Sequence, residues 1–260
     1  PAAVDCRCQG LPSGPEVPVV GKAEPEAGSS AFLQSTLPQV KEQIRNAALS
    51  AGRDPSEVRL MAVTKGFPRE AAEAAIAAGI GLLGENRVQE AEMKYAEISG
   101  PYELHLIGHL QRNKARAASG LFSCVQSIDK IETAAALESR LAERGKVMDI
   151  LLELNTSGEE SKSGFRSRDE LLSSLDSVGR FSHLRVRGLM TVGPLTEDED
   201  LVRRSFASLR RLFEEVRSSR SFPGFDVLSM GMSGDFRIGI EEGATIVRIG
   251  TALFGRRRQP

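Results

Sequence analysis

The sequence predicts an α/β fold, a (β/α)8 TIM barrel with an extra N-terminal helix in a single domain, and three observations carry that prediction. Eight short apolar runs recur along residues 58–63, 80–83, 104–107, 122–125, 148–154, 185–190, 226–230 and 245–249. Most are rich in Val, Ile or Leu without strict alternation, the pattern of strands buried on both faces. Between the runs lie amphipathic segments with their own start and stop signals, so strand and helix alternate along the chain. A doubly wound open sheet uses the same alternation, but no G-x-G-x-x-G follows the first run, which counts against a dinucleotide fold.

The elements follow in order. A first helix is predicted near 32–51, where Leu33, Leu37, Val40, Ile44 and Ala48 recur at helical spacing and Gly52 supplies a stop. Pro68 fits the first turn of the helix after strand one. Asn86 with Gln89, Asp129 with Glu132, Ser167 with Glu170 and Thr196 with Glu199 have capping-box spacing, each just ahead of an expected helix. Gly145 and Gly179 supply C-terminal stops. Near 197–218, Val202, Phe206, Leu209, Phe213 and Val216 form an apolar stripe to lay against a sheet.

Composition narrows the function classes. A chain of 260 residues suits one large α/β domain or two small ones, with apolar (40%) and charged (27%) shares ordinary for a globular protein. The strand–helix pattern places a single domain at residues 31–256. A net charge of −1 gives no electrostatic reason for a nucleic-acid or anionic-membrane partner. With no tryptophan and only Tyr95 and Tyr102, base-stacking platforms are not expected. Cys6, Cys8 and Cys124 are an odd, sparse set that argues against a disulfide framework and for a reducing, cytoplasmic setting. No apolar stretch has the length to span a bilayer. Residues 1–30 carry Pro1, Pro12, Pro15, Pro18 and Pro25 with no amphipathic period, which predicts a disordered extension without a signal-peptide core. Residues 257–260 form a short basic tail that continues from Arg256.

In a barrel, functional groups gather at the C-terminal ends of the strands, and phosphate sites favour the loops after strands seven and eight. Lys65 ends strand one. An amine there either leads its strand out to water or loses solvation, drops in pKa and forms a Schiff base with an aldehyde. Ser233 and Gly234 follow strand seven, and Gly250 and Thr251 follow strand eight. Small residues admit backbone N–H groups to an anion and hydroxyls add donors, so these four read as a phosphate cup, or else the glycines simply serve turns. Arg248 lies inside an apolar strand, where it either pairs with a carboxylate or donates to an aromatic ring nitrogen of a ligand. Asn86 either caps its helix or contacts a ligand. His105 and His109 flank strand three with no third ligand apparent, so no metal site is expected. The polar segment 155–164 after strand five is either a lid or a surface connection.

These pieces stand in a familiar order. Ala62-Val63-Thr64-Lys65, then residues 84–90 from Gly84 to Glu90, 105–114 from His105 to Lys114 and 155–165 from Asn155 to Phe165 occur in sequence. Arg187-Gly188-Leu189-Met190-Thr191, residues 228–233 and residues 247–255 complete the series. With them the chain resembles the pyridoxal 5′-phosphate (PLP) homeostasis proteins, also called the YggS/PROSC family, over about residues 31–256. The resemblance implies a barrel similar to the N-terminal domain of alanine racemase with PLP near its open end. It implies Lys65 as the Schiff-base lysine, Ser233, Gly250 and Thr251 at the phosphate, Arg248 at the pyridine nitrogen, and Asn86 and Met230 as pocket lining. Thr64 and Arg112 stand where serine is frequent in the family.

The same resemblance separates carrier from enzyme. A racemase of this architecture uses two acid–base groups on opposite faces of the substrate α-carbon, the second being a tyrosine from a separate β domain. This chain runs only a few residues past strand eight, and neither Tyr95 nor Tyr102 is an evident substitute. The expectation is therefore a non-catalytic, monomeric PLP carrier acting in vitamin B6 homeostasis, with PLP-dependent apoenzymes as partners. A PLP-dependent amino-acid racemase is the alternative, and a Schiff-base aldolase with the same lysine and cup is the third reading.

Overall fold

In the computed structural model, which describes residues 26–256, the strands close into one parallel barrel in chain order, β1 to β8. They are β1 Arg59–Val63, β2 Leu82–Glu85, β3 Glu103–Leu106, β4 Cys124–Ile128, β5 Met148–Glu153, β6 Leu184–Met190, β7 Val227–Met232 and β8 Ile246–Ile249. Closure is explicit in the register, where β1 pairs with β2 through Ala62↔Leu83 and with β8 through Met61↔Arg248. Each strand falls on a predicted apolar run, but β2 and β4 start two residues late. The reason is local: the Ile80 N–H donates to Ala75 O and the Phe122 N–H to Ala118 O, so both residues finish the preceding helix before the ladder begins.

The helices are α1 Ser30–Ser50, α2 Arg69–Ala77, α3 Val88–Tyr95, α4 Ala115–Leu121, α5 Ile131–Ala142, α6 Arg168–Val178, α7 Glu199–Ser219, α8 Phe236–Glu241 and α9 Thr251–Phe254. The extra helix α1 buries the predicted stripe Leu33, Leu37, Val40, Ile44 and Ala48, packing on α8 and α9. Its entry is fixed by the Gly28 N–H donating to Phe254 O at 2.7 Å and by Ser29 Oγ accepting the Phe32 N–H. Residues 26–29 thus form an ordered lead-in. The rest of the proline-rich segment, with Cys6 and Cys8, and the basic tail 257–260 lie outside the described residues.

Helix starts differ from the capping-box reading in three of four places. Ser167 caps α6 as expected, accepting the Glu170 N–H. Asp198, not Thr196, caps α7; Thr196 accepts the Asp198 N–H one step earlier. The cap positions of α3 and α5 fall on Arg87 and Lys130, which make no side-chain cap bond. Asp129 is drawn instead to His109, 3.0 Å away. Pro68 occupies the cap of α2 itself. Gly145 adopts the left-handed φ of +59°, whereas Gly179 ends α6 with an ordinary helical φ of −61°.

Side chains sort into two layers. Ala62, Leu83, Leu106, Val125, Ile150 and Leu189 face outward and pack against the helices in the main core. Inside the barrel, Met61, Val63, Leu82 and Ile246 form one apolar cluster and Cys124, Leu151 and Met190 another. Among the described residues no helix is long and apolar enough to cross a membrane.

The β6–β7 contact tolerates no side chain at Gly188, because a Cβ there would lie 1.7 Å from the Val227 carbonyl oxygen. Backbone, unlike the end of a flexible side chain, cannot step aside cheaply. Gly188→Ala is expected to destabilise the fold by about 3 kcal/mol or more, read as a lowered urea midpoint. A midpoint within error of the parent would contradict the packing described.

Candidate functional site

Three strand ends converge at one rim. After β1 the chain makes a tight turn from Thr64 to Phe67, closed by the Phe67 N–H donating to Thr64 O at 3.1 Å. Gly66 takes the third position with φ +71°, the left-handed value that a type II turn reserves for glycine. Lys65 therefore stands at the second position of the turn, half-buried, at the edge of the mouth.

After β7, Asp235 clasps its own loop. Its carboxylate accepts the Met232 N–H at 2.5 Å, and its N–H donates to Met232 O at 3.1 Å. Burial pushes the Asp235 carboxyl up, against the pull of the Met232 N–H and of Arg248. The clasp presents Ser233, whose Oγ accepts the N–H groups of Gly250 and Ala252, each at 3.3 Å, from the turn after β8. One oxygen already sits where two backbone donors converge, which is the arrangement an anionic oxygen requires. Gly250 lies close against β1; a Cβ there would come within 3.2 Å of Val63 O.

Between these ends lies a cavity of about 210 Å³ lined by Val63, Lys65, Phe67, Ile107, Met232, Ser233, Gly234, Arg248, Gly250 and Thr251. Amine, guanidinium and hydroxyl-bearing cup thus share one chamber with apolar walls. Such a donor set suits a small, flat, anionic aldehyde.

Arg248 is only 4% exposed and makes no ion-pair contact among the described residues. One guanidinium nitrogen donates to Ser229 Oγ and the other to Thr191 O, both at 2.7 Å. Burial pulls it down to about 10, with Asp235 and Glu153 opposing, so it remains charged at neutral pH. The Ser229 hydroxyl passes the line onward to Gln126 Oε1 at 2.7 Å, and Gln126 Nε2 donates to His105 Nδ1 at 2.9 Å. Because an amide nitrogen only donates, His105 carries its proton on Nε2, facing Glu103 at 3.5 Å. Burial lowers the His105 pKa and keeps it neutral. A row of hydrogen bonds therefore crosses the barrel interior and holds the guanidinium in place.

Five of the residues expected at the site, Lys65, Ser233, Arg248, Gly250 and Thr251, meet in this cavity. Asn86 lies in a neighbouring groove with Arg87, Gln89, Glu90, His109 and Lys114, and Met230 is fully buried in the sheet–helix layer. Strand alternation explains the second placement, since Ser229 points into the barrel and Met230 therefore points out. Met232 shares that parity but lines the cavity where the β7–β8 register shifts between Ser229 and Met232. The segment 155–164 is pinned, with Lys162 Nζ donating to Gly193 O at 2.8 Å and Asn155 Oδ1 accepting the N–H groups of Ser157 and Gly158. Thr191, Gln126 and Glu153 were not foreseen. The signal that would have found them is a polar residue at an inward position of an otherwise apolar strand.

A scan against family models matches residues 36–258 to the alanine racemase N-terminal domain. The pyridoxal phosphate homeostasis protein of Pseudomonas aeruginosa is 41% identical over 226 residues, covering 86% of this chain and 96% of that one. The Escherichia coli protein of the same description is 38% identical over 233 residues, 86% of this chain and 97% of its own. This chain belongs to the pyridoxal phosphate homeostasis protein family. Among solved structures, PipY of Synechococcus elongatus with PLP bound is 35% identical with a TM-score of 0.70, covering 82% of this chain and 99% of that one. An alanine racemase from Clostridium difficile, 13% identical with a TM-score of 0.70, shares the fold and is covered over 57% of its length.

Glu153 gives the interior a pH signature. Burial, then the charge of Asp129, push it up to about 7, with Arg248 opposing. A carboxyl raised on folding contributes stability below its ordinary value near 4.5 and loses it as pH climbs through 7. Glu153→Gln is therefore expected to match the parent near pH 4.5 and to exceed it by up to about 3 kcal/mol above pH 7. Denaturant titrations across that range read the difference, and a pH-independent offset would contradict the assignment.

Proposed function

We propose that this protein binds pyridoxal 5′-phosphate at the barrel mouth, carries it on Lys65 as a Schiff base and acts in PLP homeostasis without catalysing a reaction. The observation that carries the reading is the convergence of Lys65, Arg248 and the Ser233–Gly250–Thr251 cup on a single small cavity. A family member 35% identical that has been solved with PLP bound, and relatives described as homeostasis proteins, support it.

The roles follow from the chemistry of the groups. Ser233, Gly250 and Thr251 offer hydroxyl and backbone donors to the phosphate. Arg248 would donate to the pyridine nitrogen and, with no proton to spare, would leave that nitrogen unprotonated. PLP supplies an aldehyde and an electron-accepting ring when bound, and an unprotonated ring is the weaker acceptor. Lys65 would supply the amine that condenses with the aldehyde, the aldehyde oxygen leaving as water. Val63, Phe67, Ile107 and Met232 line the same cavity and would exclude water from it.

The racemase alternative needs a second acid–base group over the same cavity. Neither tyrosine lines it: Tyr95 is buried with its hydroxyl 2.7 Å from Thr64 Oγ1, and Tyr102 bonds Ile98 O beside the opposite barrel end. The carrier reading places the protein in a reducing, cytoplasmic setting as a monomer that buffers PLP and passes it to apoenzymes. The free, buried Cys124 and the absence of a membrane-crossing helix among the described residues agree with that setting.

Mixing the protein with PLP is expected to give a visible imine absorbance that is lost in Lys65→Ala. Ser233→Ala should weaken PLP binding about tenfold, the value of one hydrogen bond to a charged group. Single-enantiomer amino acids should keep their chirality over hours with the loaded protein. Turnover of either enantiomer would replace the carrier reading with the racemase one, and a colourless complex would favour the aldolase.

A further inference from the structure

The turn that bears Lys65 is held from behind by a buried charge cluster. Lys94 of α3 is 7% exposed, and its ammonium donates to Thr64 O at 2.6 Å, to Glu85 Oε1 at 2.7 Å and to Glu90 Oε1 at 2.9 Å. That uses all three of its donors. Glu90 Oε1 in turn accepts the Gly66 N–H at 2.6 Å. Thr64 Oγ1 donates to Glu85 Oε1 at 2.7 Å and so accepts from the Tyr95 hydroxyl, also at 2.7 Å.

This cluster is expensive as packing. Burial raises the Glu85 carboxyl, whose second oxygen is enclosed with no hydrogen-bond partner among the described residues. Apolar side chains of similar volume serve a helix–sheet interface at least as well as a buried ion pair. What apolar residues cannot supply is a donor to the Thr64 carbonyl and an acceptor for the Gly66 N–H, the backbone groups on either side of Lys65.

We propose that Glu90 and Lys94 are positioning residues for Lys65: by bonding the backbone before and after it, they fix where its amine emerges into the cavity. The inference rests on Lys65 being the carrier amine and adds the device that aims it. Lys94 reaches the turn through Thr64 and Glu90 reaches it through Gly66, so the two clamps are separable. Glu90 is the better handle, because its side chain is 28% exposed and Lys94 keeps Glu85 when it is removed.

The test compares Glu90→Ala, which frees the Gly66 N–H, with Glu90→Gln, whose amide oxygen still accepts it. Amide exchange at Gly66, read without ligand, should rise at least about tenfold in Glu90→Ala and stay near the parent rate in Glu90→Gln. Covalent attachment of PLP, followed by stopped-flow absorbance, should slow about tenfold in Glu90→Ala only. Affinity for pyridoxine 5′-phosphate, whose alcohol cannot condense with an amine, should stay within about twofold in both variants. Unchanged exchange at Gly66 overturns the clamp whatever the cofactor chemistry. Attachment at the parent rate, or a parallel loss of pyridoxine phosphate affinity, overturns the positioning role. Failure of the unsubstituted protein to attach PLP at all removes the carrier amine itself, and the positioning role with it.

Discussion

A guanidinium enclosed by a parallel barrel has to be held by dipoles, because burial removes the water that would otherwise solvate it. Arg248 meets that requirement with the Thr191 carbonyl and the Ser229 hydroxyl, and Ser229 is itself held by Gln126 and, beyond it, His105. The interior of this barrel is consequently part hydrocarbon and part hydrogen-bonded line, with Met61, Val63 and Ile246 on one side and Cys124, Leu151 and Met190 on the other. Among the described residues no carboxylate contacts this charge, which lines the cavity at the mouth. Glu153 and Asp235 bear on it from a distance; burial raises the pKa of both, and the charge of Arg248 opposes that rise.

Closure of the sheet makes this charge useful. Lys65 and Arg248 belong to opposite ends of the chain and become neighbours only because β8 pairs with β1. The same closure brings Gly250 against the Val63 carbonyl and sets the donors after β8 around Ser233 from the loop after β7. An open sheet with identical strands would leave the amine on one edge and the cup on the other. The cavity is therefore a property of the topology, and its chemistry a property of a handful of strand-terminal side chains.

That division explains what was legible beforehand. Apolar runs and helical stripes such as Leu33–Ala48 follow from burial alone, and burial is written directly in residue type. Lys65, Ser233, Gly250 and Thr251 could be read because barrel sites sit where strands end. Met230 misled because the choice between it and Met232 turns on which way one strand residue faces, and an irregular β7–β8 register obscures that from sequence. Capping spacing misled at Asp129 because His109, distant in the chain, competes for the carboxylate. The Glu85–Lys94 contact was not legible, since nothing in a single sequence says that α3 turns Lys94 inward to meet Glu85 of β2 beneath the Lys65 turn.

The most direct measurement of where the aldehyde is held is borohydride reduction of the PLP-loaded protein followed by peptide mass mapping. The structure predicts one phosphopyridoxyl group per chain, on the peptide containing Lys65. Modification centred on another lysine, or none above that of unfolded protein, would contradict the placement of PLP at the barrel mouth.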